Sequence, residues 1–397
     1  MTKTMTMTMT TTANRPVAGV VHALRAIIFI FLLLSLTLLT ACSLFDSNIK
    51  PKPAELQSVS SLVSAKLAWT TRVGPVNFPL DVNVSGTTAY TAGSDGVVAA
   101  LDVRTGADIW RTNVGAPIAA GVGSDGKVAA VVTQANAVVA IQDGRELWRQ
   151  KLGAQVYTSP FVAGGRVFVL AADRSVSAFD GQTGRKLWSQ QRPTEPLVLR
   201  QSGVILAVGD TLVVGLSGRL VGLNPSNGSV KWESPIASPR GINDVERLVD
   251  LTGRVSREGD VVCARAFQAS IGCVNAARGA LLWSKPANGA QGIHGDDRLL
   301  FGTESDGTVQ AWRRSDGERA WTTDALRYRH LTAPLVIGRS IAIGDFAGIV
   351  HLLSRQDGSV MNRLTTDGSA IAAAPALAGT TLIAVTRNGG IFGFVPD

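Results

Sequence analysis

Four histidines and three cysteines are the whole stock of strongly metal-ligating side chains in this 397-residue chain. His294, His330 and His351 are scattered over different repeats and do not form the His/Asp/Glu patterns typical of metal sites. No Gly-x-Ser-x-Gly elbow is present to raise a nucleophilic serine on a strand-to-helix turn. Paired glycines fall between short apolar runs, where they suit tight turns rather than phosphate loops. The sequence therefore reads as that of a non-enzyme that holds no metal and no cofactor. A formal charge of +8 raises nucleic-acid binding, but the basic residues form no run interleaved with aromatics, so none is expected.

Cysteine 42 is the one residue whose setting does imply chemistry. Lys3, Arg15 and Arg25 are the only charged side chains before it, and an almost wholly apolar run spans residues 26–39. That run is short for a membrane span and suits the core of a signal peptide. Leu39-Thr40-Ala41-Cys42 then resembles the lipobox of bacterial lipoproteins. The resemblance implies cleavage after residue 41 and acylation of Cys42, a plain secretory signal with a chance cysteine being the alternative. Ser43 stands where an aspartate would imply inner-membrane retention, which points to the outer membrane, with the chain facing the periplasm. Loss of residues 1–41 removes three positive charges and leaves a mature net charge of about +5 (8 − 3). Residues 42–61 are polar with two prolines and read as a flexible tether.

The remaining chain, residues 62–397, is one repeat. Tryptophans stand at 69, 110, 148, 188, 232, 283 and 321, spaced by 38 to 51 residues. The phrase before them is clearest in Ala100-Leu101-Asp102-Val103-Arg104-Thr105-Gly106-Ala107-Asp108-Ile109-Trp110 and recurs at 178–188. Asn362 takes the tryptophan's place in the seventh copy. Each period also holds short alternating apolar runs with Gly-Gly or Asp-Gly between them, the pattern of strands joined by tight turns. Four strands in about forty residues, repeated, predict a β-propeller. A lone four-stranded sheet cannot bury both faces, and a tryptophan on each outer strand can fill the wedge between neighbours. The count gives an all-β, eight-bladed propeller. Its last blade lacks a fourth strand, so the strand at Leu67–Trp69 is expected to pair with it and close the ring.

The Ala-x-Asp-x-x-Thr-Gly-x-x-x-Trp phrase is similar to the repeat of quinoprotein alcohol dehydrogenases, eight-bladed propellers that hold pyrroloquinoline quinone on the axis. Those enzymes are larger, and many carry adjacent cysteines and a calcium cluster. Cys263 and Cys273 are instead separated by nine residues. A compact chain with a lipobox and little beyond the eight repeats resembles the propeller lipoproteins of the bacterial outer-membrane β-barrel assembly (BAM) machinery. That resemblance implies a scaffold that docks on the periplasmic domains of the machinery's central subunit and assists the folding and insertion of barrel proteins; whether it touches those clients directly is left open by the sequence.

In that family docking uses a Leu-x-Leu-Arg segment and acidic residues of a later loop. Leu197, Leu199 and Arg200 match the first. On residue types alone the same segment also reads as the first strand of blade four, leucines inward. Asp250 matches one acidic position, while Thr252 stands where another is expected, with Glu246 and Arg247 nearby. Cys263 and Cys273 fall on neighbouring strands of blade five around Gln268, and suit either a disulfide in an oxidising compartment or two buried thiols. Three functions are compatible with these features: the barrel-assembly scaffold, a quinone-dependent dehydrogenase, or a lipid-anchored propeller for some other envelope protein.

Overall fold

A computed structural model describes residue 29 and residues 51–192, 197–239, 242–244 and 247–397. The signal peptide and Cys42 lie outside the described residues. The chain divides into two units, residues 1–52 and 53–397. The second unit holds, among its described residues, thirty-two strands, β1 (Ala65–Arg72) to β32 (Gly390–Pro396). They form eight four-stranded antiparallel sheets, seven of them contiguous in sequence, from β2–β5 (residues 83–113) to β26–β29 (residues 335–365). The eighth is β30, β31 and β32 with β1 added at its edge, Ala65 facing Pro396 and Arg72 facing Gly390. The closure expected from Leu67–Trp69 is thus the observed one.

Burial follows from stacking. The second and third strands of a blade are covered on both faces by neighbouring blades, so they read as unbroken apolar runs. β11 (Arg166–Leu170, RVFVL) and β7 (Ala129–Thr133, AAVVT) are almost wholly buried. Outer strands alternate instead, as β5 (Asp108–Asn113, DIWRTN) does. Several of the turns before an outer strand are held by their own Asp or Asn: Asp180 Oδ1 accepts from the Gln182 and Thr183 amides at 3.1 and 2.8 Å, and Asn224 Oδ1 from the Ser226 amide at 2.8 Å.

The indole couples each blade to the next. Trp69, Trp148, Trp188, Trp283 and Trp321 donate from Nε1 to a turn carbonyl of the following blade: Val103, Gly181, Pro225, Arg314 and Arg355, at 2.8–2.9 Å. Under each ring lies that turn's glycine, which has positive φ and no room for a side chain. A Cβ on Gly184 would fall 2.6 Å from Trp148, and one on Gly106 would fall 2.4 Å from Trp69. Trp110 and Trp232 pack in the same way on Gly144 and Gly279. The glycine and the tryptophan of the repeat phrase therefore serve one contact from two blades. Trp188 is buried against this turn with Phe168 at its side. Changing it to alanine is expected to cost about 3–5 kcal/mol, read as a lowered denaturant midpoint at unchanged slope.

A β-bulge lies beside the indole in the six contiguous blades that carry one, and beside Asn362 in the seventh. Between β12 (Val176–Asp180) and β13 (Lys186–Gln190), Ala178 faces Trp188 but Phe179 faces Lys186, so Leu187 is the extra residue. Its counterparts Ile109, Leu147 and Leu282 are exposed for this reason.

Asn362 replaces tryptophan where the coupling partner does not exist. The outer strand of the eighth blade is β1, which arrives from the N-terminal segment and not from a glycine turn. Asn362 Nδ2 instead donates to Val63 O at 2.7 Å. The segment before β1 lies on the outer strand of this seventh blade: the Leu62 amide donates to Met361 O at 3.0 Å, the Arg363 guanidinium to Gln57 O at 2.6 Å, and the Ala54 amide to Arg327 O at 2.9 Å. Residues 54–61, within the stretch expected as a tether, are thus docked on the ring.

Cys263 and Cys273 face each other directly across β19 (Val261–Ala266) and β20 (Ser270–Asn275), fully buried, and the structure joins them as a disulfide.

Candidate docking site

In this topology the connection between blades and the turn from second to third strand emerge on the same face of the ring. Leu197, Leu199 and Arg200 lie in the connection from the third to the fourth blade, outside any strand, since the fourth blade begins at β14 (Ile205–Val208). The segment is therefore not the inward-facing first strand that its residue types also allow. Leu197 is 40 % and Val198 36 % exposed, Arg200 is exposed and Leu199 half-buried.

Asp250, in the next connection, is brought to the same place but with a different posture. It is only 7 % exposed. Its Oδ2 accepts from the Leu199 amide at 3.0 Å, and its Oδ1 meets the guanidinium of Arg174. Arg174 also donates to Leu197 O at 2.9 Å. One buried ion pair therefore holds the backbone of the segment at two points while the side chains of 197 and 198 face outward. A shallow cavity behind it is lined by Tyr157, Leu170, Val198, Leu199 and Leu216.

Arg174 is not singled out by any motif. It sits in the β11–β12 turn at φ +61°, where other blades carry glycine: Asp95-Gly96 and Asp306-Gly307 become Asp173-Arg174. That replacement in the repeat is the one signal of it in the sequence. Thr252 is buried in β18 (Leu251–Glu258) and lines the same cavity behind the segment. Glu246 lies outside the described residues.

The hub tests the quinone reading. Arg254, on the first strand of the fifth blade, donates to Pro375 O at 2.9 Å and Pro334 O at 3.4 Å, ahead of the eighth and seventh blades. To reach past the sixth blade it must cross the channel. Desolvation lowers its pKa, countered by Asp81. Asp81 Oδ2 accepts from Ser159 and Ser202, both at 2.8 Å. Burial, aided by Arg254 and Arg314, pushes His294 down to about 4, and its Nδ1 accepts from the Val336 amide. His351 is buried against Asp345 at 3.0 Å, and His330 packs edge-on to Phe346. Among the described residues no group of three His, Cys, Asp or Glu could hold a metal ion. A guanidinium laid across the axis occupies the place where those enzymes hold their quinone, and this does not fit a quinone cofactor.

Comparison with known proteins accords with this. A sequence profile described as "Outer membrane protein assembly factor BamB" matches residues 94–323. A protein of that name from Burkholderia pseudomallei is 37 % identical over 360 residues, covering 90 % of this chain and 94 % of the relative. The chain belongs to the BamB family. In structure it is similar to BamB from Moraxella catarrhalis, at TM-score 0.76 and 22 % identity over 83 % of this chain and 99 % of the other. The quinohemoprotein alcohol dehydrogenase of Comamonas testosteroni shares the fold, at TM-score 0.66 and 14 % identity over 86 % of this chain and 78 % of the other. At that identity the likeness to the dehydrogenase is one of architecture. The BamB relatives are named for assembly and not for catalysis.

Proposed function

We propose that the docking segment at Leu197–Arg200 is where this outer-membrane protein assembly factor binds the BAM complex. The family assignment makes the chain a non-enzymatic assembly factor associated with the outer membrane. Beyond that, the reading is of a scaffold that docks on the periplasmic domains of the central subunit, BamA, through Leu197, Leu199 and Arg200. Acylated Cys42 is its anchor. The observation that carries the reading is an exposed, non-strand Leu-x-Leu-Arg segment pinned by a buried ion pair. An apolar pair beside an arginine is the composition of a binding hot spot.

Ala54 binds Arg327 and Arg329, which belong to the connection between the sixth and seventh blades. The chain therefore leaves toward its anchor from the same face that carries the docking segment. The test is affinity capture of the native lipoprotein from envelope extracts. Recovery of BamA is expected, and its absence alongside intact, folded bait would overturn the reading.

A further inference from the structure

We infer that Arg174 and Asp250 are positioning residues for docking: they fix the backbone of residues 197–199 in the exposed posture and do not touch the partner. The inference rests on the docking function proposed for this segment and deepens it.

Three observations carry it. First, the pair is removed from solvent, Arg174 at 5 % and Asp250 at 7 % exposure, so neither can offer its charge to a docked surface. Second, both bonds to the segment go to main-chain atoms, the carbonyl of Leu197 and the amide of Leu199. These two contacts specify the path of the chain and leave the side chains to the partner. Third, Arg174 occupies a left-handed turn position. The equivalent residue is glycine in four other blades, at Gly96, Gly307, Gly348 and Gly389, and asparagine at Asn136. An arginine accepts that conformation at a steric disadvantage, so something other than the turn retains it. The three parts come from three places: a turn of the third blade, the connection to the fourth, and the connection to the fifth. The pair thereby sets the docking segment in register with the rim of the ring.

A buried ion pair can often be replaced by apolar residues of similar volume without loss of stability, whereas removal of one partner leaves a buried charge. This separates positioning from stabilisation. Three full-length lipoprotein variants are compared: Arg174→Met, Arg174→Met with Asp250→Leu, and Arg174→Lys. The readouts are the thermal transition, capture of the periplasmic domains of the barrel-assembly subunit, and amide hydrogen exchange of residues 197–199. The single methionine variant is expected to lose stability. The apolar pair is expected to regain most of it, yet to bind roughly tenfold more weakly and to exchange the Leu199 amide faster, because an unanchored segment must be ordered on binding. Lysine can pair with Asp250 but cannot also hold Leu197 O, and an intermediate loss of capture at a near-normal transition is expected.

Capture by the apolar pair equal to that of the unaltered chain would overturn the inference, as would unchanged exchange at Leu199. If the unaltered protein captures nothing while exchange responds as described, the positioning holds and the docking reading falls.

Discussion

Deletion of residues 62–70 is expected to abolish the cooperative thermal transition and leave an aggregated or open chain on size exclusion. The segment contains most of β1, the only strand that closes the eighth sheet. Without it, β32 presents an unpaired edge rich in isoleucine and phenylalanine (GIFGFVP), which invites association with other chains. Trp69 is lost as well, with its bond to Val103 O and its contact over Gly106, so the seam between the eighth and first blades opens. A buried tryptophan alone is worth about 3–5 kcal/mol on truncation. The strand ladder adds to that, and domains commonly have only about 5–15 kcal/mol in total. Trp69→Ala serves as the milder companion: a lowered but still cooperative midpoint is expected. A deletion variant that unfolds within a few degrees of the unaltered chain would show that the ring does not depend on this closure.

Eight blades can be counted from the sequence because one physical contact needs two residue types. An indole on one outer strand requires a glycine in the next blade's turn, so Trp and a turn glycine recur together. The exception is visible as a residue but not as a reason. Asn362 makes sense only once β1 is seen to reach the eighth blade without a glycine turn and to bring Val63 O to that seam. The bulge residues are illegible for a related cause. Ile109 and Leu282 look like core in an alternating strand, and only the register shift beside the tryptophan turns them outward.

The docking site is half legible. Leu197, Leu199 and Arg200 can be named from a motif, but their posture cannot. In sequence the segment also fits a strand, and the start of β14 at Ile205 is fixed by the course of the connection before it. Asp250 can be named as well, and residue type alone suggests a surface acid. Its burial depends on Arg174, which lies 76 residues away and belongs to another blade. The axial charges Asp81 and Arg254 share this difficulty. Their bonds cross the ring, and no local period reports a contact of that kind.

The second large effect separates contact from support at the docking segment. Changing Leu197, Leu199 and Arg200 together to alanine is expected to weaken capture of BamA by on the order of a hundredfold or more, since truncation at a hot spot costs about 2 kcal/mol or more per residue. The thermal transition is expected to fall by only a few degrees: substitutions at exposed positions such as Leu197 and Arg200 stay near ~0.5 kcal/mol, and the half-buried Leu199 accounts for the rest. The structure supplies a specific reason for that asymmetry. Asp250 binds the amide of residue 199 and Arg174 the carbonyl of residue 197, and alanine keeps both. The backbone therefore stays where the ion pair puts it, and only the outward side chains disappear. The opposite pattern, a transition lowered by many degrees with undiminished capture per folded molecule, would make these leucines part of the core and move the docking surface elsewhere on the ring. Proline at residue 199 probes the anchored amide together with the loss of the Leu199 side chain. It removes the amide that Asp250 accepts from, so this single change is expected to weaken capture even with Leu197 and Arg200 intact.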